Sequence, residues 1–350
     1  MKIRGALCLV AVVFVLSSVR IASASLTIFG TGFSLPESIS LAPTNFGTFG
    51  GDYFIPDPGI NFIALGNIDY LPPTGGAATV FVTLPGGSEN PVGGMFLPNN
   101  FGSFGGQYLA VGSDANGSFA MAVAANGTVT PVISIPGNEF VTPVLAPIGF
   151  GSVGGQVLVT SSDGTVKAID QNGKLSTFAS VAGTPQLFGS AFAPQGFGSV
   201  GGDLLVTDAG DGNIFAVDAN GNVSLFATVP LGLHQPGLRQ IAFAPNGFGN
   251  YGGDLFLSIS GSSQGGGTFG SLVVLDGSGQ EIAVLVIGTQ ISHFDPRGLF
   301  FPDNQDLLIS SSDPIFIGTP QDFQPPIPEP TTLLLFGSGM MGLWFKRWRS

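Results

Sequence analysis

One phrase recurs along the chain and limits what it can fold into. It has the form Phe-Gly-x-x-Gly-Gly, and it occurs at residues 46–51, 101–106, 150–155, 197–202 and 248–253. Successive Gly-Gly pairs are 55, 49, 47 and 51 residues apart. A repeat of this length is typical of architectures in which similar supersecondary units pack side by side. The chain is therefore an array of units, none of which is expected to be stable alone.

A sixth unit lacks the Gly-Gly pair but keeps the rest of the pattern. Phe301-Pro302 stands where Ala193-Pro194 stands in the fourth unit, and residues 306–309 match residues 203–206. Six units of about 50 residues therefore cover most of the chain. Their predicted ranges are 33–85, 86–137, 138–183, 184–231, 232–289 and 290–320.

Four short strands are recognisable within one unit. In the fourth unit, apolar or β-branched runs at 189–194, 203–207, 213–218 and 223–229 are separated by the Phe-Gly loop and by two Asp/Asn-Gly turns. Four strands joined by tight turns and repeated six times predict an all-β fold, a six-bladed β-propeller of four-stranded blades. The 55 glycines then supply turns, and many of the 31 phenylalanines fill the space between blades. A β-sandwich or a pair of β-sandwiches is the alternative, but it does not require the 50-residue repeat.

The propeller needs a closing strand, and the N-terminus offers one. The sixth unit has no clear fourth strand before Gln321, while an isolated apolar run lies before the first unit. We therefore expect residues 25–30 to complete the last blade.

The body resembles a known superfamily of propellers. The phrases Gly-Asp-Leu-Leu-Val-Thr-Asp (202–208) and Asp-Gly-Asn-Ile-Phe-Ala-Val-Asp-Ala-Asn-Gly (211–221) look like NHL-type and gluconolactonase-like six-bladed propellers. The long Phe-Gly loop departs from their usual unit. The resemblance implies a divalent ion held by carboxylate and Asn side chains in the channel, but no Glu could be matched to a first strand. One fold hosts many functions, so the likeness supports the fold more than an activity.

Charge is distributed unevenly. The chain has 22 acidic and 10 basic residues, a net charge of −12, but six of the basic residues lie in the first 20 or last five positions. The pI near 4.2 argues against nucleic-acid binding, which needs clustered Lys and Arg. Without residues 1–24 and 328–350, 21 acidic residues face four basic ones, a net charge of −17. The two ends are thus chemically distinct from an acidic body.

The N-terminal segment predicts export. Lys2 and Arg4 precede an apolar run, and Ala22-Ser23-Ala24 forms a small-x-small cleavage pattern, so residues 1–24 read as a secretory signal peptide. An uncleaved membrane anchor is the alternative. The single cysteine, Cys8, lies inside this segment, so the mature protein would contain neither a disulfide nor a thiolate nucleophile.

The C-terminal segment predicts a destination. After a Pro-rich spacer at 321–327, Pro328-Glu329-Pro330 precedes a short apolar stretch and the basic end Lys346-Arg347-Trp348-Arg349. These three parts, covering 328–350, resemble the PEP-CTERM sorting signal. The resemblance implies transient insertion of a C-terminal helix into the inner membrane of a Gram-negative bacterium that makes exopolysaccharide. It also implies cleavage by an exosortase-type enzyme and release to the cell surface or matrix. An ordinary C-terminal anchor is the alternative.

The topology of a propeller predicts where ligand-binding residues lie. The Phe-Gly loops share one face, whereas the segments that lead into first strands share the other. Two such segments in neighbouring blades carry both histidines and both arginines of the body, and the candidate ligand-binding residues are His234, Arg239, His293, Asp295 and Arg297. The equivalent positions in the other units are Glu37, Val92, Val141 and Phe188.

Two interpretations of this cluster stay open. The first is a site for an anionic or sugar-like ligand at the channel mouth, with His as a general base. The second is that the arginines pair with nearby Asp to stabilise blade contacts. No cofactor or metal site is predicted, because the recurring Asp residues fit turn chemistry. Loose Ca²⁺ binding at the acidic surface is compatible with the composition.

The functional expectation follows from these features. We expect a secreted, surface-sorted propeller that binds or organises the extracellular matrix, with exopolysaccharide or a surface protein as its partner. The Phe-Gly loops are either a repeated contact face or buried filling. The alternative is an extracellular hydrolase, lactonase or lyase that uses the opposite face.

Overall fold

Six β-sheets make up the described part of the chain, and they correspond to the six repeat units. The computed structural model describes residues 20–24, 26–59, 66–86, 89–183, 185–231, 237–261, 270–287 and 294–323, with residues 20–24, 286 and 287 described by their backbone alone. The protein is an all-β, six-bladed propeller with four-stranded blades, as the sequence predicts. Most of the predicted signal peptide and the whole sorting segment lie outside the described residues.

Each of the first five blades is an antiparallel meander, except that β6 interrupts the first. Listed from first to fourth strand, the first blade contains Ser40–Leu41 (β3), Tyr53–Asp57 (β4), Asn67–Leu71 (β5) and Thr79–Thr83 (β7), and the second contains Asn90–Phe96 (β8), Tyr108–Asp114 (β9), Gly117–Val123 (β10) and Val129–Pro136 (β11). The third blade contains Phe140–Leu145 (β12), Val157–Ser161 (β13), Thr165–Ile169 (β14) and Leu175–Ser180 (β15), and the fourth contains Leu187–Phe192 (β16), Leu204–Asp208 (β17), Asn213–Val217 (β18) and Val223–Thr228 (β19). The fifth blade contains Gly237–Phe243 (β20), Leu255–Ser260 (β21), Ser271–Leu275 (β22) and Glu281–Ile287 (β23).

The sixth blade combines both ends of the described chain. Its first three strands are Leu299–Phe300 (β24), Leu307–Ile309 (β25) and Ile315–Gly318 (β26), and its fourth is the N-terminal strand Thr27–Thr31 (β2). β2 pairs antiparallel with β26, in the position where the sequence placed a closing strand. The ring is thus closed by backbone hydrogen bonds between the two ends of the body.

Two further short strands extend the outer edges of blades. Gly76–Ala77 (β6) pairs parallel with β2 and so ties the first blade to the sixth. Arg20–Ala24 (β1) pairs parallel with β23 at the outer edge of the fifth blade. This strand lies inside the predicted signal peptide, so cleavage after Ala24 would leave the fifth blade with its four meander strands.

The recurring Phe-Gly phrase forms a 3-10 turn between the first and second strands. These turns are Gly47–Phe49, Gly102–Phe104, Gly151–Val153, Gly198–Val200 and Gly249–Tyr251. In the fourth blade, Gly198 has φ of 52°, and a Cβ there would lie 1.6 Å from the carbonyl oxygen of Gly277. Glycine is required because the backbone is left-handed and presses against the neighbouring blade.

The phenylalanine of each phrase is buried between blades. Phe46, Phe101, Phe150, Phe197 and Phe248 are all at most 6% exposed. In four of the five blades the ring of this phenylalanine packs edge-to-face on a phenylalanine at the end of the next blade's first strand or directly after it. The ring centroids are 4.8–4.9 Å apart in the pairs Phe46–Phe96, Phe150–Phe192, Phe197–Phe243 and Phe248–Phe301. These side chains join neighbouring blades, so they do not form the exposed contact surface considered above.

The C-terminal end of the described chain packs on the propeller. The first three residues of the Pro-rich spacer expected at 321–327 belong to a 3-10 turn, Pro320–Phe323, and residues 324–327 lie outside the described part of the chain. Phe323 is fully buried, and its ring lies 5.8 Å from that of Phe248. Proline-rich composition does not reveal that one aromatic side chain anchors the start of this segment. Within the described ranges, no helix is long and apolar enough to cross a membrane.

A buried pair of carboxyl groups holds the segment that leads into the first blade. Asp57 is 3% exposed, and its carboxylate accepts the backbone N–H groups of Ser34 and Leu35 at 2.6 and 2.8 Å. Asp69, 4% exposed, lies beside it on β5. Burial, then the charge of Asp57 and a hydrogen bond to it, raise the pKa of Asp69 from 3.8 to about 7. At low pH the protonated carboxyl of Asp69 donates a hydrogen bond to Asp57. At high pH the ionised carboxylate of Asp69 repels the carboxylate of Asp57.

We predict that this pair makes stability depend on pH. The unfolded carboxyl ionises near 3.8 and the folded one near 7, so the free energy of unfolding falls as pH rises through this interval and stays low above it. Asp69→Asn, whose amide can donate to Asp57 at every pH, should raise the free energy of unfolding at pH 8 by up to about 4 kcal/mol. At pH 4 the variant and the parent should be nearly equal.

Urea unfolding at the two pH values measures this difference. Asp211→Asn, which removes an exposed carboxyl on the same face, is the control and should show no comparable gain. An Asp69→Asn variant that gains as much stability at pH 4 as at pH 8 would contradict the coupling between the two carboxyls.

Candidate functional site

The candidate site lies where the chain enters the first strands, on the face opposite the Phe-Gly loops. Four of its residues occupy the same register position in consecutive blades, and each has its carbonyl held by a hydroxyl from the second strand of the preceding blade. The bonds are Thr160 Oγ1 to Phe188 O (2.6 Å), Thr207 Oγ1 to Arg239 O (2.8 Å), Ser258 Oγ to Arg297 O (2.9 Å), and Ser310 Oγ to Glu37 O. The repeat thus brings Phe188, Arg239, Arg297 and Glu37 side by side at one channel mouth.

The same hydroxyls also accept a hydrogen bond from a backbone N–H group of the chain at or just before the first strand of their own blade. They accept backbone N–H groups from Thr142, Gly189, Gln240 and Gly298 at 2.6–3.0 Å. Each hydroxyl therefore links two neighbouring first strands. Pro56 and Val111 occupy the corresponding position in the first two blades, so this link is made at four of the six junctions.

Arg297 is neutralised by two carboxylates. Its guanidinium donates to Glu37 across the junction between the sixth and first blades, and to Asp295 at 2.9 and 3.1 Å. Arg297 is 8% and Glu37 2% exposed. Burial acts to lower the pKa of Arg297, but the charges of Glu37 and then Asp295 outweigh it and raise the pKa. This is the pairing that the second interpretation of the arginines anticipated.

Asp295 is itself held in place by the blade edges. Its carboxylate accepts Ser260 Oγ at 2.6 Å, Ser312 Oγ at 3.3 Å and the N–H of Gly261 at 3.2 Å. A carboxylate with this many donors is held in one orientation and fixes the guanidinium beside it. The pair is therefore part of the framework of the mouth.

Arg239 differs from Arg297 because it has no direct carboxylate partner among the described residues. Its guanidinium carbon lies 4.5 Å from the ring centroid of Phe188, and its buried Nε has no hydrogen-bond partner in the described part of the chain. Burial lowers the pKa of Arg239, and the positive charge of Arg297 lowers it further. The negative charges of Glu37, Asp295 and Glu139 act in the opposite direction. A guanidinium stays protonated at neutral pH, so Arg239 presents a positive charge with unused donors.

Glu139 is a member of the site that the sequence analysis missed. It is half-buried, its backbone N–H donates to Ser162 Oγ, and its carboxylate accepts Ser113 Oγ at 3.4 Å. Burial and then the charge of Glu37 raise its pKa, while Arg239 and Ser113 lower it. The signal was available: Glu139 lies two residues before Val141, as Asp295 lies two before Arg297.

A polar floor crosses the channel one residue beyond Arg239. Gln240 Nε2 donates to Thr142 Oγ1 at 2.7 Å, which joins the fifth and third blades across the fourth. Ser190 Oγ donates to the Thr142 carbonyl at 3.4 Å. Thr142, Ser190 and Gln240 are each 7% exposed. The bond bridges non-neighbouring blades, so the mouth has a hydrogen-bonded base at this level.

Several predicted features fall outside the site or outside the description. His234 and His293 lie outside the described residues. The recurring Asp163, Asp170, Asp208 and Asp218 accept nearby backbone N–H groups, as turn residues do. Among the described residues, no group of three or more His, Cys, Asp or Glu side chains is arranged to hold a metal. Glu37 is the carboxylate on the mouth of the first blade, and the guanidinium of Arg297 occupies it, so a channel cation does not fit these residues.

Comparison with solved structures places the fold among known propellers. A regucalcin from Agrobacterium tumefaciens, described as a calcium-binding protein, matches with 13% identity over 86% of this chain and 95% of its own, at a TM-score of 0.59. A gluconolactonase from Xanthomonas campestris matches with 14% identity over 86% and 91%, at 0.59. A virginiamycin B lyase from Staphylococcus aureus matches with 13% identity over 86% and 97%, at 0.55. At these identities the similarity establishes the fold alone.

The sequence comparisons identify the C-terminal segment. The PEP-CTERM protein-sorting motif matches residues 326–350, two residues earlier than the boundary predicted above. No curated protein matches the chain. The protein is a six-bladed propeller whose fold is similar to that of the gluconolactonase and regucalcin structures, and it carries a PEP-CTERM sorting motif. The motif is typical of exported proteins that exosortase processes at the cell surface, and it indicates that destination here.

We predict that the second-strand hydroxyls stabilise the site. Thr207→Val keeps the shape of the side chain but leaves the carbonyl of Arg239 and the N–H of Gly189 without their shared partner. The free energy of unfolding should fall by about 2 kcal/mol, since unsatisfied buried polar groups are costly. The midpoint of urea unfolding measures the loss. Thr130→Val, on the exposed surface of β11, is the matched control and should change the midpoint little; an equal effect of both substitutions would contradict the role of Thr207.

Proposed function

We propose that this surface-sorted propeller binds an acidic polysaccharide of the extracellular matrix at the channel mouth, through Arg239. The observation that carries the proposal is the difference between the two arginines. Arg297 is saturated by Glu37 and Asp295, whereas Arg239 keeps unused donors, including a buried Nε without a partner among the described residues. A guanidinium in this condition is a strong donor to a carboxylate.

The surroundings of Arg239 favour a sugar acid over a simple anion. Glu139 and the mouth-lining carboxylates disfavour a ligand with several negative charges. They are good acceptors for hydroxyl groups, which a sugar supplies in number. A uronic acid residue combines one carboxylate for Arg239 with hydroxyls for the neighbouring acceptors. The sorting motif supports a matrix ligand, because it indicates the cell surface as the destination.

Binding of oligogalacturonate to the mature body tests this proposal. Arg239→Met keeps the side chain's apolar stem over Phe188 but removes the donors, and it should weaken binding by roughly 10- to 100-fold, the loss expected for a charge-assisted hydrogen bond. Lys174→Met removes one exposed positive charge from a turn on the opposite face and should leave the affinity unchanged. Isothermal titration calorimetry gives both values.

Two results would contradict the proposal. One is equal affinity of the parent and Arg239→Met. The other is equal binding of a neutral glucose oligomer of the same length, since that ligand offers no carboxylate to a guanidinium.

The second candidate function is an extracellular hydrolase, lactonase or lyase at the same mouth. It is favoured by Glu139, a carboxyl with a raised pKa beside a cationic group, which is a common arrangement for proton transfer. The gluconolactonase and lyase propellers of similar fold are consistent with it. Turnover of a sugar lactone or of oligogalacturonate that is lost in Glu139→Gln, or on replacing His234 or His293 by Ala, would establish this alternative.

A further inference from the structure

We propose that the face formed by the Phe-Gly loops rests on the lipid bilayer in the membrane-inserted precursor, so that the channel mouth points away from the membrane. This inference rests on the surface-sorting part of the proposed function, in which the C-terminal segment is inserted before processing. It adds the surface through which the body meets the lipid.

The topology places both ends of the body on this face. In the sixth blade, β26 is a third strand and ends at Gly318 on the side of the Phe-Gly loops. The antiparallel strand β2 starts opposite, with Thr27 paired to Ile317. The chain that follows the predicted leader and the chain that precedes the sorting motif therefore leave the propeller at the same place.

The last described turn fixes the point of exit. Phe323 is fully buried against Phe248 and Phe256, with ring centroids 5.8 and 6.0 Å away. Phe248 belongs to the Phe-Gly loop of the fifth blade, so the exit lies beside that loop. The exit is thus anchored in the core rather than carried on a free tail.

The connection between the last described turn and the inserted segment is short. Only residues 324–330 separate Phe323 from the segment that follows Pro330. Four of these seven residues are proline, and a chain that advances about 3.1 Å per residue, as polyproline does, spans about 22 Å at most. A segment inserted directly after Pro330 would hold the exit face within a short distance of the lipid.

The composition of the Phe-Gly loops suits this position. The five loops at 43–51, 98–106, 147–155, 194–202 and 245–253 contain no charged residue, in a body whose net charge is −17. The acidic turns of the same face lie at its outer rim, where Asp170, Asp218 and Asp276 accept backbone N–H groups. The corresponding loop of the sixth blade carries Asp303 and Asp306, and Asp52, Asp203 and Asp254 directly follow three of the five loops, so only the loops themselves are uncharged. The short connection, and not the charge of the face, is what holds this side of the propeller near the lipid.

Lipid-borne quenching on vesicles tests the orientation. The full chain with Cys8→Ser contains no cysteine, so single cysteines can be introduced for a fluorescent label. Ser103→Cys and Ser199→Cys place the label on exposed positions of two Phe-Gly loops, and Ala115→Cys places it on an exposed turn of the mouth face. Ser103 and Ala115 belong to the same blade, which makes them a matched pair.

The expected result is that spin-labelled phosphatidylcholine in the vesicle quenches both loop labels several-fold more than the label at 115. Equal quenching at all three positions, or stronger quenching at 115, overturns the proposal. Quenching confined to position 199 also overturns it, since that would mean contact through one edge near the exit.

A charge variant tests the same surface without a label. Ser103→Asp, Ser152→Asp and Ser199→Asp together should reduce binding of the full chain to vesicles rich in phosphatidylglycerol, while Ala115→Asp should not; equal effects overturn the proposal. Flotation with vesicles, lost on deleting 328–350, reports insertion itself. A chain that does not float overturns the orientation but leaves oligogalacturonate binding by the soluble body unaffected, so the two proposals fail separately.

Discussion

The hydroxyl that links adjacent first strands is the contact on which the site depends. At four junctions one Ser or Thr accepts an N–H from its own blade and donates to a carbonyl of the next, so the two strands cannot slide past each other. Each bond is modest alone, but a buried donor or acceptor left without its partner is costly. The register of Phe188, Arg239, Arg297 and Glu37 follows from this repeated contact.

Aromatic packing complements the polar links. The buried phenylalanine of each Phe-Gly loop reaches the next blade near the opposite face, while the hydroxyls act near the mouth. The two kinds of contact hold each junction at both ends. Because a single blade cannot bury its apolar faces alone, stability belongs to the junctions. The body can therefore carry 21 acidic residues against four basic ones without a framework of salt bridges.

The scarcity of positive charge gives the mouth its character. Two of the four basic residues of the body lie there, and one of them, Arg297, forms salt bridges with Glu37 and Asp295. The remaining guanidinium is surrounded by acceptors that suit hydroxyl groups. The opposite face carries the uncharged Phe-Gly loops and holds both ends of the body. The two faces of the propeller thus differ, with the candidate binding site at the channel mouth on one side and the chain ends of the body on the other.

The sequence by itself determined the fold and the C-terminal sorting motif. The 50-residue period, the strand-turn alternation and the Phe-Gly phrase are local patterns, and local patterns are enough to predict a propeller, its closing strand and the sorting motif. The sequence also aligned Arg239 with Arg297, because equal offsets within repeats become neighbouring positions on a ring. It could not decide which arginine is paired, since Glu37 lies 260 residues from Arg297 and meets it only when the ring closes. Tertiary structure alone decided that Phe323 anchors the exit, because its burial depends on contacts between distant segments.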